Sequence, residues 1–418
     1  MRAALWLLAL FAVAVAIALF AGNNQGTVTL FWPPYRIDLS LNMVLLLGVL
    51  AFVLLHAALR GVSALFNLPR EALRWRNQQK ERALHLTLVD AIAHLMAGRF
   101  LRARKSADAV LSQEQSLRES GVRLPHGQPL RAMAHLLVAE SAQSLQDRPA
   151  RDEHLKLTLE QATAREAQAL REGALMRAAR WALDERDAEA ADGWLTQLPQ
   201  GAARRTLALR MKLKAARVAG QTQQALETTR LLAKHRAFSP QAAQSLVRGL
   251  AIDLLNAAHD MPRLQRAWQS LEAHERQMPE LAVHAAIRVA VLGGDAALAR
   301  EWLLPIWEQQ ERLDAALKVR MVQAFERTGL DSIDGSWLAR FETAQRANPR
   351  DANLQYLAGM ACMHRHLWGK AQQLLAQAAQ GLSDTGLRRQ AWRALATLAE
   401  DRGDSVAAAQ AWKQAAIL

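Results

Sequence analysis

Two long apolar runs at the start of the chain constrain it more than any other feature. Ala3 to Gly22 carries no charge, and Leu41 to Leu59 (LNMVLLLGVLAFVLLHAAL) has only Asn42 and His56 as polar interruptions. At about 1.5 Å rise per residue, either run can cross a hydrocarbon core of roughly 30 Å. The sequence therefore predicts two membrane spans, over about residues 3–22 and 41–59. The competing reading of the first run is a cleaved signal peptide, with Arg2 as a basic start and Ala16-Ile17-Ala18 as a small-residue cleavage site. The run exceeds a usual signal-peptide core, which favours a retained span.

The basic residues set an orientation. Arg2 precedes the first run, and Arg60, Arg70, Arg74, Arg76, Lys80 and Arg82 follow the second, opposed only by Glu71 and Glu81. By the positive-inside rule both termini face the cytoplasm, and residues 23–40 face outward, which in a bacterium is the periplasm. That outer segment alternates as Val28, Leu30, Trp32 and then Ile37, Leu39 around Pro33-Pro34-Tyr35. The alternation predicts two short strands joined by a tight turn. Trp32 and Tyr35 on the outer side, and Arg60 on the inner side, are the expected membrane-interface residues. The hairpin can also be read as a mere connector between two spans.

Charge and cysteine usage fit this placement. The net charge of +13 suits an anionic membrane surface. No DNA- or RNA-reading motif accompanies it, so nucleic acid is not an expected partner. The lone Cys362 excludes an intramolecular disulfide and any multi-cysteine metal cage.

Beyond residue 60 apolar residues recur at helical spacing, without sustained alternation. The expected division is a membrane anchor over 1–60, a basic juxtamembrane helix or linker over 61–84, and a repeat domain over 85–418. The overall expectation is an all-α fold in which two spans and an outer hairpin precede a tetratricopeptide-like α-solenoid. The C-terminal stretch QAWRALATLAEDRGDSVAAAQAWKQA carries the repeat most clearly, with Trp392, Leu395, Ala408 and Trp412 at packing positions and Gly403 at the turn. One unit earlier, Gly359, Ala371 and Ala378 take the small-residue positions where paired helices cross. Weaker matches run upstream through Ala91, Gly98, Ala179, Ala191, Gly220, Ala225, Gly294 and Ala299. Residues 121–129 and 329–336 read as loops at repeat junctions.

The outer segment has the form A-G-x-x-Q-G-x-V, as Ala21-Gly22 and Gln25-Gly26-Thr27-Val28. With two flanking spans, a basic linker and degenerate repeats, the chain resembles the HemY family of proteobacterial inner-membrane proteins. The resemblance is best over about residues 1–130 and architectural beyond. It implies a part in late protoheme synthesis, supporting or organising the terminal enzymes rather than performing a step. A flavoprotein protoporphyrinogen oxidase shares the name but needs a G-x-G-x-x-G dinucleotide fingerprint, which this sequence lacks.

No catalytic residue is legible. The densest chemical cluster is CMHRH, where Cys362, His364 and His366 could suggest haem or metal ligation. The repeat register instead makes Cys362 a packing residue and puts both histidines at an exposed helix end, so neither a metal nor a bound cofactor is expected. His56, inside the second run, lies about one turn from Arg60 and reads as reaching the interface. LGGD at 292–295 reads as a helix-helix turn with an N-cap. The twelve tryptophans fit repeat packing better than a ligand cage.

The resulting expectation is a multi-pass inner-membrane scaffold, not an enzyme, whose repeat groove binds proteins of tetrapyrrole synthesis. Two alternatives stand beside it. One is an adaptor for another envelope pathway such as lipopolysaccharide synthesis; the proteins it resembles carry paired C-x-x-C motifs that are absent here. The other is a haem or porphyrin carrier. The sequence leaves the oligomeric state open.

Overall fold

A computed structural model describes residues 11–15, 17, 18, 22 and 25–418, apart from 123, 125 and 164, and excludes the side chains of 63–71 and 74. The expected first span over 3–22 lies for the most part outside the described residues.

The outer segment folds as two antiparallel strands, β1 (Thr27–Trp32) and β2 (Tyr35–Ser40), paired from Thr27 opposite Ser40 to Trp32 opposite Tyr35. Pro33 and Pro34, joined by a cis peptide bond, form the two-residue turn. The alternating Val28, Leu30, Ile37 and Leu39 give the register its period of two. The Leu41 N–H donates to the Gly26 carbonyl, 2.9 Å away, tying the hairpin base to the helix that follows.

That helix, α1 (Leu41–Met96), is 56 residues long, or about 84 Å at the α-helical rise. Its first part, Leu41–Val62, is apolar and has no buried residue, and among the described residues it alone is a helix long and apolar enough to cross a membrane. Residues 61–84, expected as a juxtamembrane helix or linker, continue α1 without a break. Helix-favouring Ala, Leu, Arg, Gln and Lys carry the same helix through them and past Pro69.

Helical hairpins follow. Residues up to Leu170 form one compact unit and residues from Arg171 a second, where the sequence reading had one repeat domain over 85–418. The first unit contains α2 (Phe100–Glu119), α3 (Gly127–Ser144) and α4 (Arg148–Gln161). Next come α5 (Gln168–Asp184), α6 (Ala188–Thr196), α7 (Gln200–Ala203), α8 (Thr206–Val218), α9 (Thr222–Lys234) and α10 (Pro240–Asn256). Then come α11 (Met261–Ser270), α12 (Ala273–Arg276), α13 (Pro279–Val291), α14 (Ala296–Trp307) and α15 (Ala315–Arg327). The last five are α16 (Gly335–Ala347), α17 (Ala352–His364), α18 (Trp368–Gly381), α19 (Thr385–Asp401) and α20 (Ser405–Ile417).

One local device ends these helices. Every described residue with positive φ sits two positions past a helix end, from Gly98 to Gly403. The next residue usually donates its N–H back five positions, as Arg99 does to His94, Asp147 to Ala142 and Asp404 to Ala399. This is the Schellman closure, which satisfies carbonyls the helix leaves open. Asp147, Asp187 and Asp404 then cap the following helix through the N–H groups of Ala150, Ala190 and Ala407. The final three closures, at Gly329, His366 and Gly403, are spaced 37 residues apart (366 − 329 and 403 − 366), within the range of two-helix repeats. Gly127 and Pro129, expected in a loop, instead open α3, where a proline at the first turn costs no hydrogen bond.

Small residues let the paired helices approach. Ala371 and Ala378 on α18 are fully buried, and Gly359 on α17 lies directly against Leu375. In the second unit Trp307 packs edge-on against Phe325, Trp337 and Phe341, with centroids 5.0–6.2 Å apart. These rings fill one another's space as core. Trp268 and Trp302 stack at 4.7 Å in the same way.

Candidate interaction groove

Three glutamines of α18, Gln373, Gln377 and Gln380, follow Lys370 at steps of three, four and three residues, so all four share one face of the helix. That face and the end of α16 line a groove of about 700 Å³, completed by Gln345, Arg350 and Gln355. The Gln355 amide donates to the Pro349 carbonyl at 2.6 Å and to Gln377 Oε1 at 3.3 Å, which holds the groove floor in place. Lys370 Nζ lies 2.7 Å from Glu342 Oε1, and this hydrogen bond, ahead of the Lys370 charge and the Arg346 contact, holds the Glu342 carboxyl below the usual carboxylate range. Arg350 is exposed and is shared with an adjoining hollow that contains Lys318 and Asp351, paired at 3.5 Å.

The chemistry of this lining suits recognition. Carboxamides present both donors and acceptors and can mirror an extended peptide backbone. Arg350 and Lys370 are the charged residues that line the main groove; with Lys370 already paired to Glu342, the exposed Arg350 is what favours acidic segments. The sequence reading missed this stripe. Its signal was the glutamine spacing on a helix already assigned, which a search for reactive side chains passes over.

The residues singled out from sequence fall in several places. Cys362 is fully buried on α17, with its sulfur 3.9 Å from Glu342 Oε1, and burial pushes its thiol up to about 11. His366 occupies a left-handed turn with φ of 60° and meets Trp368 edge-on at 5.0 Å, while His364 closes α17. Burial thus keeps the thiol protonated within the core, while the two histidines lie at the helix end and in the turn beyond it. No cluster of three or more metal-binding side chains occurs among the described residues. Trp392 and Leu395 are half-buried against the core, and Ala408 is buried. Trp412, assigned a packing role in the sequence, is 41 % exposed on α20; its indole N–H donates to Glu400 at 2.7 Å instead of sitting in a core. Trp32 and Tyr35 face each other at the hairpin turn and are both exposed, and the Arg36 guanidinium lies over Phe31 at 5.6 Å. Arg60 and His56 lie on α1, with His56 stacked on Phe52.

With the hairpin, the exposed apolar helix and the first helical unit described, the family comparison applies. The model of the HemY protein N-terminus matches residues 26–146. Over that stretch the chain is similar to the HemY N-terminal domain. The matched stretch spans the hairpin, all of α1, α2 and α3, and ends at the turn leading into α4. No curated protein matches the chain. Among solved structures, the APC/C hetero-tetramer Cut9-Hcn1 is 13% identical, covers 80% of this chain and 66% of its own, and has a TM-score of 0.29. The TPR domain of P58(IPK) is 14% identical, with 77% and 99% covered and a TM-score of 0.22. The Naa15/Naa10 complex bound to HypK-THB is 12% identical, with 78% and 68% covered and a TM-score of 0.20. At such scores the description of tetratricopeptide-like repeats rests on the hairpins themselves.

Proposed function

We propose that this chain is a membrane-anchored scaffold that holds enzymes of late tetrapyrrole synthesis together, with no catalytic step of its own. The observation that supports it most is continuity. The stretch similar to the HemY N-terminal domain carries an apolar, unburied helix and a helical-hairpin unit on one unbroken α1, and in this reading that helix tethers the repeats to the bilayer. In this reading residues 3–22 form a second span, the β1–β2 hairpin faces the periplasm with its aromatic tip at the headgroups, and the repeats lie in the cytoplasm. The Gln-lined groove takes extended acidic segments of the partner enzymes. Holding enzymes at one surface raises local concentration without altering any turnover number.

A photo-crosslinking amino acid at Gln377, used in intact membranes, should capture tetrapyrrole-synthesis enzymes, and Lys370→Glu should abolish the capture. A null strain should accumulate porphyrins while each purified enzyme keeps its normal rate. Unchanged porphyrins in the null strain, or capture of unrelated envelope enzymes alone, would refute the assignment.

A further inference from the structure

Beyond the membrane segment, α1 carries two apolar faces where a helix packed on a single core needs one. The first face is used. Leu84 and Ala91, seven residues apart, are fully buried in the helical unit, with Leu88 and Leu95 partly buried beside them. The second face is bare. Ala72, Trp75, Leu86, Val89, Ala93 and Met96 are all exposed, with Trp75, Leu86 and Val89 at 62%, 65% and 60%. Together with Gln79 and Arg82, also exposed, they recur at strictly alternating steps of three and four residues over 72–96.

We propose that α1 pairs through this stripe with α1 of a second copy, as a parallel two-stranded coiled coil. Alternating three- and four-residue steps are the signature of a coiled-coil seam, and in that register Leu84 and Ala91 fall opposite the seam, so pairing leaves the chain's own core untouched. The occupant follows from three further points. First, both copies leave the bilayer from the same side, which makes their α1 helices parallel and brings each seam residue against itself; this step rests on the membrane anchoring proposed above. Second, the flanking positions offer a complementary donor and acceptor. In a parallel pair His85 lies across from Asp90 of the partner subunit, and both residues are exposed. His85 Nδ1 is already bound to the Glu81 carbonyl at 2.8 Å, which leaves Nε2 free to reach outward. Third, Gln79 and Arg82 put two successive polar layers into an otherwise apolar seam. Such layers fix the register of self-pairing helices at a cost in stability.

The test uses the full chain in native membranes, with Cys362→Ser as background. Single cysteines introduced as Leu86→Cys, Val89→Cys and Ala93→Cys should each form self-crosslinks at least fivefold more than Lys80→Cys, which lies off the seam. Arg82→Leu should raise the dimer fraction severalfold in detergent sedimentation. Val89→Glu should reduce it to background with unchanged helix content by circular dichroism. Equal crosslinking on and off the seam, a monomer in both assays, or crosslinks only to a different protein would overturn the proposal. Membrane fractionation of the same samples separates these outcomes from a failure of the anchoring itself.

Discussion

Gly359 on α17 and Leu375 on α18 are so close that a Cβ at position 359 would stand 2.8 Å from Leu375 Cγ and 3.2 Å from its backbone nitrogen. The side chain could yield, but the backbone nitrogen cannot without separating the two helices. Gly359→Ala should therefore cost about 1–3 kcal/mol, in spite of the roughly 1 kcal/mol that alanine gains in helix propensity. Ala371→Leu should overpack the same crossing by a similar amount. Gly193→Ala is the control. It sits within α6 with nothing near its Cβ, and should stabilise by up to about 1 kcal/mol. Urea unfolding of the three variants checks the set, and a stable Gly359→Ala would remove the close crossing.

The left-handed turn residues give the opposite sign. Gln146, Arg186 and His366 hold φ near 60° at positions where Gly98, Gly220 and Gly403 do the same work without a Cβ. A side chain in that region costs about 1–2 kcal/mol, of which glycine's extra freedom in the unfolded chain returns part. Each change to glycine should raise stability by about 0.5–1 kcal/mol. His366→Gly carries a second meaning, since it should keep full complementation if His366 is a turn residue and lose it if His366 ligates haem.

These turns also show how far the sequence was legible. Gly403 and Gly98 were readable as repeat turns because glycine advertises the backbone it permits. Gln146, Arg186 and His366 perform the same closure invisibly, and the histidine invited a chemical reading instead. The strands at 27–32 and 35–40 could be read because alternation and a Pro-Pro turn coincide. The merging of residues 61–84 into α1 could not, since charge clusters mark a membrane boundary but say nothing about where a helix stops. The Gln stripe on α18 escaped because carboxamides look like solvated surface until the facing end of α16 turns that surface into a groove.

An asymmetric ion pair gives the next prediction. Arg230 on α9 grips Glu275 on α12 through two hydrogen bonds, of 2.9 and 2.5 Å, and Glu275 Oε2 also accepts the Glu272 N–H at 2.8 Å. Glu275 is fully buried, whereas the Arg230 side chain keeps a fifth of its surface in water. Removing the cation strands a buried carboxylate, while removing the anion leaves a guanidinium that water still reaches. Arg230→Met should thus cost about 3–5 kcal/mol and Glu275→Gln clearly less. Burial pushes the Glu275 carboxyl up, but the bonds from Arg230 and Glu272 and the Arg230 charge together hold it below its ordinary 4.5. The folded state therefore binds fewer protons than the unfolded one below that pH, so this contribution is present above about 4.5 and lost as the pH falls. Equal costs for the two variants would show that the buried charge is not what the pair protects.

A pair of histidines in the first unit sets a separate, higher window. His135 on α3 and His154 on α4 approach through their Nδ1 atoms at 3.0 Å, a distance that suits one neutral ring donating to another and punishes two protonated ones. Burial first, then the His154 and Arg131 charges, lowers His135 from 6.5 to about 4. His154 is lowered by burial too, against the nearby Asp108, Glu153 and Asp147 carboxylates. With a depressed pKa the folded protein stays neutral where the unfolded chain takes up a proton. The pair's contribution is complete above about 6.5, declines as the pH falls towards 4, and is flat below that. A shift of this size corresponds to about 3 kcal/mol at most, which half-exposure to solvent cuts to about 1 kcal/mol. Thermal unfolding between pH 7 and pH 5 should show a fall in Tm that His135→Gln largely removes, while Glu275→Gln alters only the slope below pH 4.5. If His135→Gln leaves the fall between pH 7 and pH 5 unchanged, the two rings do not share a proton and another group sets the acid limb.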